Sequence, residues 1–240
     1  MIIKNSASNR DRGTADSLSV FLQYLAAGHF SDSERLPPLT ELSRELGLSV
    51  ASLREQLEVA RALGLVEVKP KIGIRRTAYS FKPAVCKSVG YAVASDPAQF
   101  QLFADLRNQV EAAYWYHAVE LLTRQDRQNL QNLIIQATQK LNGQPVQIPH
   151  HEHRELHLTI YSRLNNPYVT GILEAYWDLY ENFGLDIYTD IVYLQKVWNY
   201  HQKIVNSILT GDFTVGYLAL IEHKGLLFQR AKPPLNQKFE

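Results

Sequence analysis

"RLPPLTELSRELGLSVASLREQLEVARALGLVEVKPKIGIRR", residues 35–76, is the stretch on which the fold turns. Leu39, Leu42 and Leu46 recur at helical spacing, and Gly47 forces a turn before Ser49, a residue suited to cap the helix that follows. That helix reaches about Leu63, where Gly64 ends it. The alternating LVEV run, a KPKIG turn and the IRRTAY run then read as a two-stranded hairpin. Upstream, Leu18, Phe21, Leu22 and Leu25 fall on one face of a further helix that stops at Gly28.

Three helices and a hairpin in this order form a winged helix-turn-helix, an arrangement that reads DNA. One helix enters the major groove by its N-terminal end, so a short turn must fix its angle to the helix before it. Leu42, Leu46, Leu48, Leu53, Leu57 and Leu63 supply the core that sets the angle, leaving Val50, Ala51 and Arg54 away from it. Arg54 is the expected guanine or phosphate contact, Ser49 and Thr40 reach phosphates, and Val50 meets a thymine methyl. Lys69, Lys71, Arg75 and Arg76 put four positive charges into the wing, where phosphate or minor-groove contact is their natural use. Residues 1–82 hold 12 Lys and Arg against 9 Asp and Glu, a net +3 that dimerisation doubles.

The whole chain is nearly neutral, at +1, so no overall basic field announces a nucleic acid or a membrane. With 240 residues, 45% hydrophobic and 20% charged, two modest globular domains are expected. A single cysteine, Cys86, excludes an intramolecular disulfide and a thiolate cluster. The absence of a signal-type N-terminus and of a spanning apolar run implies a cytoplasmic protein with no membrane partner. The expected boundaries are a flexible tail at 1–14, the winged helix at 15–80, a linker at 81–97, an all-α domain at 98–230 and a tail at 231–240. In the all-α domain, breaks at Thr123 to Asp126, Gly143 to Pro149, Asn165 to Pro167, Gly184 to Asp186 and Gly211 to Asp212 cut the sequence into a six-helix bundle. Trp115, Trp177 and Trp198 read as its core rather than as a stacking site.

Within that bundle, "HEHRELHLTIY" at 151–161 places His153 and His157 four apart on one helix face. His201 and His223 lie on or beside the apolar stripes of two later helices. One histidine on an apolar face is ordinarily a hydrogen-bonded core residue. Four inward imidazoles would each need a separate partner, whereas one shared cation satisfies them together. His150 and His151 read as surface residues ahead of the helix. The Glu of His153-Arg154-Glu155-Leu156-His157 sits in the middle, matching neither HExxH nor HxxEH, so a metal-dependent hydrolase is the weaker alternative. A regulator with a purely structural metal site is the other.

Residues 35–76 resemble the winged helix of GntR-family transcription regulators in their Leu-Pro start, Glu-Leu at 41–42, Leu-Gly at 46–47, Arg-Glu at 54–55 and Gly-Leu-Val at 64–66. Two departures, Pro38-Leu39-Thr40 in place of Ser-Glu-Arg and Val50 in place of Arg, remove two DNA-facing arginines and imply an unusual operator. "HRELH" followed by Asn166-Pro167, with His201, Gly211-Asp212 and His223, resembles the FCD domain of the FadR-like branch. The resemblance implies a metal held by His157, His201 and His223, with His153 where the family has Asp, either as a ligand or as a group behind the ligands. Zinc is the first expectation and nickel the second. Arg107 matches a cavity-facing arginine, which implies a small carboxylate effector, and Glu111 stands four residues on; a surface ion pair is the plainer account of those two. The resemblance further implies a non-enzymatic homodimer bound to a double-stranded DNA operator.

Overall fold

The computed structural model describes residues 18–28, 34–183 and 191–228. The expected tails and the expected break at Gly184 to Asp186 lie outside the described residues. The chain divides after Lys87 into two compact units.

The first unit holds α1 (Val20–Ala27), α2 (Leu39–Leu46), α3 (Val50–Ala62), β1 (Val66–Lys69) and β2 (Gly73–Arg76). Ser19 caps α1, accepting from the Leu22 amide, and Ser49 caps α3, accepting from the Ser52 amide. Gly47 takes a left-handed φ of 65°, the conformation that lets α2 stop and the chain turn without a Cβ penalty. The Ser43 hydroxyl then donates to the Leu48 carbonyl at 2.5 Å, tying α2 to the turn and fixing its angle to α3. Phe21, Leu42 and Leu53 are fully buried together, with Leu57, Val66 and Ile74 around them. β1 and β2 pair antiparallel from Val66–Arg76 to Lys69–Gly73.

The expected linker is helical over α4 (Lys82–Ser95). Pro83 lies in its first turn, where a missing amide costs nothing, and Pro97 lies beyond its end. Val85 and Val93, eight apart, are both buried. This two-point stripe on a helix of small residues leaves little visible period. A Cβ at Gly64, whose φ is 71°, would fall 2.5 Å from Pro83 Cγ, so the glycine both turns the chain after α3 and admits the start of α4.

Six helices follow: α5 (Gln99–Glu120), α6 (Arg124–Leu141), α7 (His150–Tyr161), α8 (Pro167–Phe183), α9 (Ile191–Thr210) and α10 (Phe213–Phe228). α5 packs against α7, α8 and α10, while α6 packs against α7 and α9, and α9 against α10. Trp115, Leu130, Leu156, Leu173, Ile204 and Ile208 are among the fully buried residues between them.

Thr123 and Asp126 form a reciprocal cap at the start of α6. Asp126 also accepts two bonds from Arg163, at 2.8 and 2.9 Å, joining this cap to the end of α7. The Arg163 hydrogen bond, helped by those from Thr123, outweighs burial and holds the Asp126 carboxyl well below the usual carboxylate range. Asp126→Ala is therefore expected to destabilise the protein by about 1–2 kcal/mol at neutral pH. Because the folded-state pKa is depressed, the contribution is complete above the unfolded value near ~3.9 and fades as pH falls through the folded one. Urea unfolding of both proteins across this window checks it; a gap that persists undiminished in strong acid rules the account out.

Candidate metal centre and nucleic-acid interface

α7 contributes His153 and His157, α9 His201 and α10 His223. One ligand nitrogen from each lies within 4.8 Å of all the others. Spacing explains the first pair, since residues four apart on α7 share a face; packing of α9 and α10 supplies the rest. His157, His201 and His223 are buried, and His153 keeps part of its edge exposed. Burial, with smaller pushes from neighbouring positive or titratable groups, drives all four imidazoles below their ordinary range, His223 to about 3. They are neutral at physiological pH, the state in which imidazole donates a lone pair.

The hydrogen bonds select one tautomer. His157 Nδ1 stands 3.1 Å from Glu111 Oε1, so with a carboxylate there Nδ1–H donates to it and Nε2 is left with its lone pair. That Nε2 lies 3.1 Å from His201 Nε2. Adjacent nitrogens around a cation bonded at about 2.0–2.1 Å lie roughly 3.0–3.4 Å apart, so the spacing suits shared coordination. His153 Nε2, His201 Nδ1 and His223 Nδ1 are buried without a hydrogen-bond partner. Each such nitrogen costs about 1–3 kcal/mol if left unsatisfied, and a cation would relieve that cost at His153 Nε2 and His223 Nδ1, whereas a His201 that coordinates through Nε2 keeps its Nδ1 without a partner. The donor set therefore fits a divalent transition metal, and His153 lies within reach of the same point as the other three.

Arg107 is not on the surface: it is buried on the inner face of α5 beside the histidines. Its Nε lies 3.0 Å from Glu111 Oε1, its Nη1 donates to Asn108 Oδ1, and its guanidinium packs over Tyr176 and Trp177. Burial pushes the Glu111 carboxyl up, against the pull of Arg107, Lys224 and His223. Lys224 follows His223 on α10 and donates to the Asn108 carbonyl; burial lowers its pKa to about 8. Three further donors, Arg107 Nη2, Asn108 Nδ2 and Trp177 Nε1, are buried with no acceptor.

Sequence reasoning did not single out Asn108 or Lys224, and it read Trp177 as core alone. Trp177 is core, but its ring also stands 4.7 Å from His153 and 5.3 Å from His157, walling the centre. Lys224, next to His223, and Asn108, next to Arg107, were findable only as sequence neighbours of residues already chosen. His150 and His151 lie within the first turn of α7, His151 exposed, rather than ahead of the helix.

In the first unit, Thr40, Ser49, Ala51 and Arg54 are exposed, and Val50 is half-buried. Lys69 and Lys71 are exposed; Lys69 pairs with Glu67 at 2.7 Å. Lys71 holds a left-handed φ of 65° in the turn between the strands. Arg75 and Arg76 are half-buried, and Arg76 lines a mostly apolar hollow with Leu18, Leu22 and Tyr79. Of the four wing cations, Lys69 and Lys71 are thus exposed and Arg75 and Arg76 partly so.

A winged helix in one chain with a helical unit that gathers ligand nitrogens defines a DNA-binding regulator with a second, ligand-type domain. The sequence matches the FCD domain over residues 103–224, and the chain belongs to that family, among GntR-type transcription regulators rather than enzymes. It is similar to YieP of Escherichia coli (strain K12), described as an uncharacterized HTH-type transcriptional regulator, with 23% identity over 206 residues, 82% of this chain and 86% of that one. Among solved structures, Streptococcus agalactiae GntR has a TM-score of 0.56 at 16% identity, covering 89% of this chain and 96% of its own. E. coli McbR/YncC gives a TM-score of 0.48 at 22% identity, covering 88% and 96%. Among the described residues, no helix is long and apolar enough to cross a membrane.

Proposed function

We propose that this protein is a dimeric regulator whose helical unit holds a divalent metal, zinc before nickel, on His153, His157, His201 and His223. In this reading a small carboxylate, bound by the metal and Arg107, changes its affinity for a double-stranded operator. The observation that carries the proposal is the gathering of four imidazole nitrogens within 4.8 Å beside buried donors that lack an acceptor. When bound, the metal supplies a Lewis-acidic anchor for an anion. The chain's own contribution is to orient it: Arg107 is fixed by Glu111, Asn108 and the rings of α8, leaving Nη2 free to donate to a carboxylate oxygen. Asn108 Nδ2 and Trp177 Nε1 are further donors for the same anion.

Such a ligand acts only through its different affinities for DNA-competent and incompetent arrangements, typically a coupling of about 5–150-fold. The test is fluorescence anisotropy on DNA from upstream of the protein's own coding region, with zinc-loaded protein and a panel of mono- and dicarboxylates. Selective DNA binding that no carboxylate alters would leave the metal a structural role. Binding no tighter than to random DNA would sink the regulator reading itself.

On the DNA side, Arg54 carries the base or phosphate contact and Lys71 a phosphate contact. Arg54→Ala is expected to weaken specific binding by about 1–3 kcal/mol, with most of the loss on the operator. Lys71→Ala should weaken operator and random DNA alike and reduce the salt slope by about one. The reverse pattern in the same titrations would exchange their roles.

A further inference from the structure

Three of the four imidazoles are buried and His153 is partly exposed, so an ion or anion that joins them must pass a wall, and the walls differ in how firmly they are held. On the α5 side Arg107 is tied to Glu111 and Asn108, and on the α10 side Lys224 is tied to the Asn108 carbonyl. On the α8 side Tyr176, Trp177 and Tyr180 pack ring to ring, with Phe100 stacked on Tyr176. The α9 side is Trp198. Among the described residues its indole meets no ring but those of His153 and His201, at 6.0 and 4.9 Å, and makes no hydrogen bond. Trp177 Nε1 is sealed from water, whereas Trp198 Nε1 is not. Beside Trp198 lies a surface hollow of about 390 Å³ between α6 and α9.

We infer that this hollow is the mouth through which metal and effector reach the histidines, with Trp198 as the side chain that closes it. The inference rests on the proposed metal and carboxylate site and adds the path to it. Trp198 lines the hollow and also faces His153, the one imidazole of the four that is partly exposed, so swinging a single indole aside brings the hollow to the edge of the donor set. That movement breaks no hydrogen bond and shifts no helix. The lining has the matching chemistry. Thr138, Asn142, Gln195, Asn199 and Gln202 stand around Trp198, and among the described residues none that lines the hollow is charged. A side-chain amide offers a carbonyl oxygen to a cation and an N–H to a carboxylate. A charged mouth would hold one of the two and repel the other. Neutral dipoles pass both, because each contact is strong enough to enter and weak enough to leave.

The experiment follows Zn²⁺ into and out of the full-length protein by stopped flow with a chromophoric chelator, for wild type, Trp198→Ala and Asn199→Trp. Opening the mouth in Trp198→Ala should speed uptake and release alike, each at least about 10-fold, and leave the dissociation constant within about twofold, because a door changes the barrier and not the end states. Asn199 is exposed on the rim, so a tryptophan there should fill the hollow without disturbing the fold and slow both rates. Unchanged rates in both variants overturn the route. So does a Trp198→Ala effect confined to release, which makes Trp198 a support for the ligands instead. Should Trp198→Ala unfold, Asn199→Trp decides alone. A second probe needs no metal. Diethyl pyrocarbonate modifies neutral imidazole, and peptide mapping of the metal-free protein should find His153 and His201 modified before His157 and His223, with all four protected by Asn199→Trp. The opposite order overturns the mouth. A wild type that takes up no Zn²⁺ fails the metal reading, and the order of modification then decides the route by itself.

Discussion

Replacing His157 and His201 together by alanine is expected to reduce metal content from about one ion per chain, in protein purified without a histidine tag, to none. These two residues carry the 3.1 Å contact between Nε2 atoms, and His157 alone has its tautomer set by Glu111. Removing them deletes half of the donor set, so affinity for Zn²⁺ in chelator competition should fall by at least about 10³-fold. Stability follows by mass action: metal at 1,000 times its dissociation constant stabilises the wild type by about 4 kcal/mol, and this increment should vanish in the variant. Elemental analysis and thermal unfolding with and without chelator read both effects. A wild type that contains no metal and whose melting temperature ignores added Zn²⁺ would return the four histidines to the status of packed core residues.

The second large effect is expected at Arg107. Truncating it to alanine removes the nearest positive charge from the buried Glu111, leaving the His157 hydrogen bond and the weaker pull of Lys224, and breaking a buried pair in this way costs about 3–5 kcal/mol. For a unit of this size, that corresponds to a drop of roughly 10 °C in melting temperature. Replacing both partners, as Arg107→Met with Glu111→Met, should recover much of the loss, because the Glu111 carboxylate is then no longer left buried without its guanidinium. Denaturant unfolding of the two single variants and the double gives the coupling energy directly. If Arg107→Ala loses under ~1 kcal/mol, the guanidinium faces water and the buried pair does not exist in solution.

Local signals were strong where the chain itself supplies the constraint. Gly47 between two leucine-spaced runs placed α2 and α3 because the left-handed turn is a property of that one residue. His153 and His157 were readable as a pair for the same reason, four residues on a helix being a fixed geometry. α4 was legible only as a gap between the two domains. Its buried face consists of little beyond Val85 and Val93, and its prolines are harmless at the positions they occupy. Glu111 shows what spacing alone does not carry. Its relation to Arg107 is visible at four residues, yet its hydrogen bond to His157 spans 46 positions and exists only because α5 packs on α7. The same long-range packing buries Arg107, which agrees with the cavity-facing reading of this residue rather than with the surface ion pair weighed beside it. In the wing, composition counted four cations, and their placement in the hairpin leaves Lys69 and Lys71 exposed and Arg75 and Arg76 half-buried.

The turn between α9 and α10 is pinned from two sides. Trp115 holds the Phe213 carbonyl from α5, Arg127 holds the Ile208 carbonyl from α6, and a Cβ at Gly216 would strike both Ser207 and Trp115. His201 and His223 sit on the two arms of this hairpin, each several residues from the turn. Mechanically, the hairpin is clamped at both ends, since Lys224 beyond His223 also grips the Asn108 carbonyl of α5, so the separation of the two histidines is set by a frame rather than by a free arm.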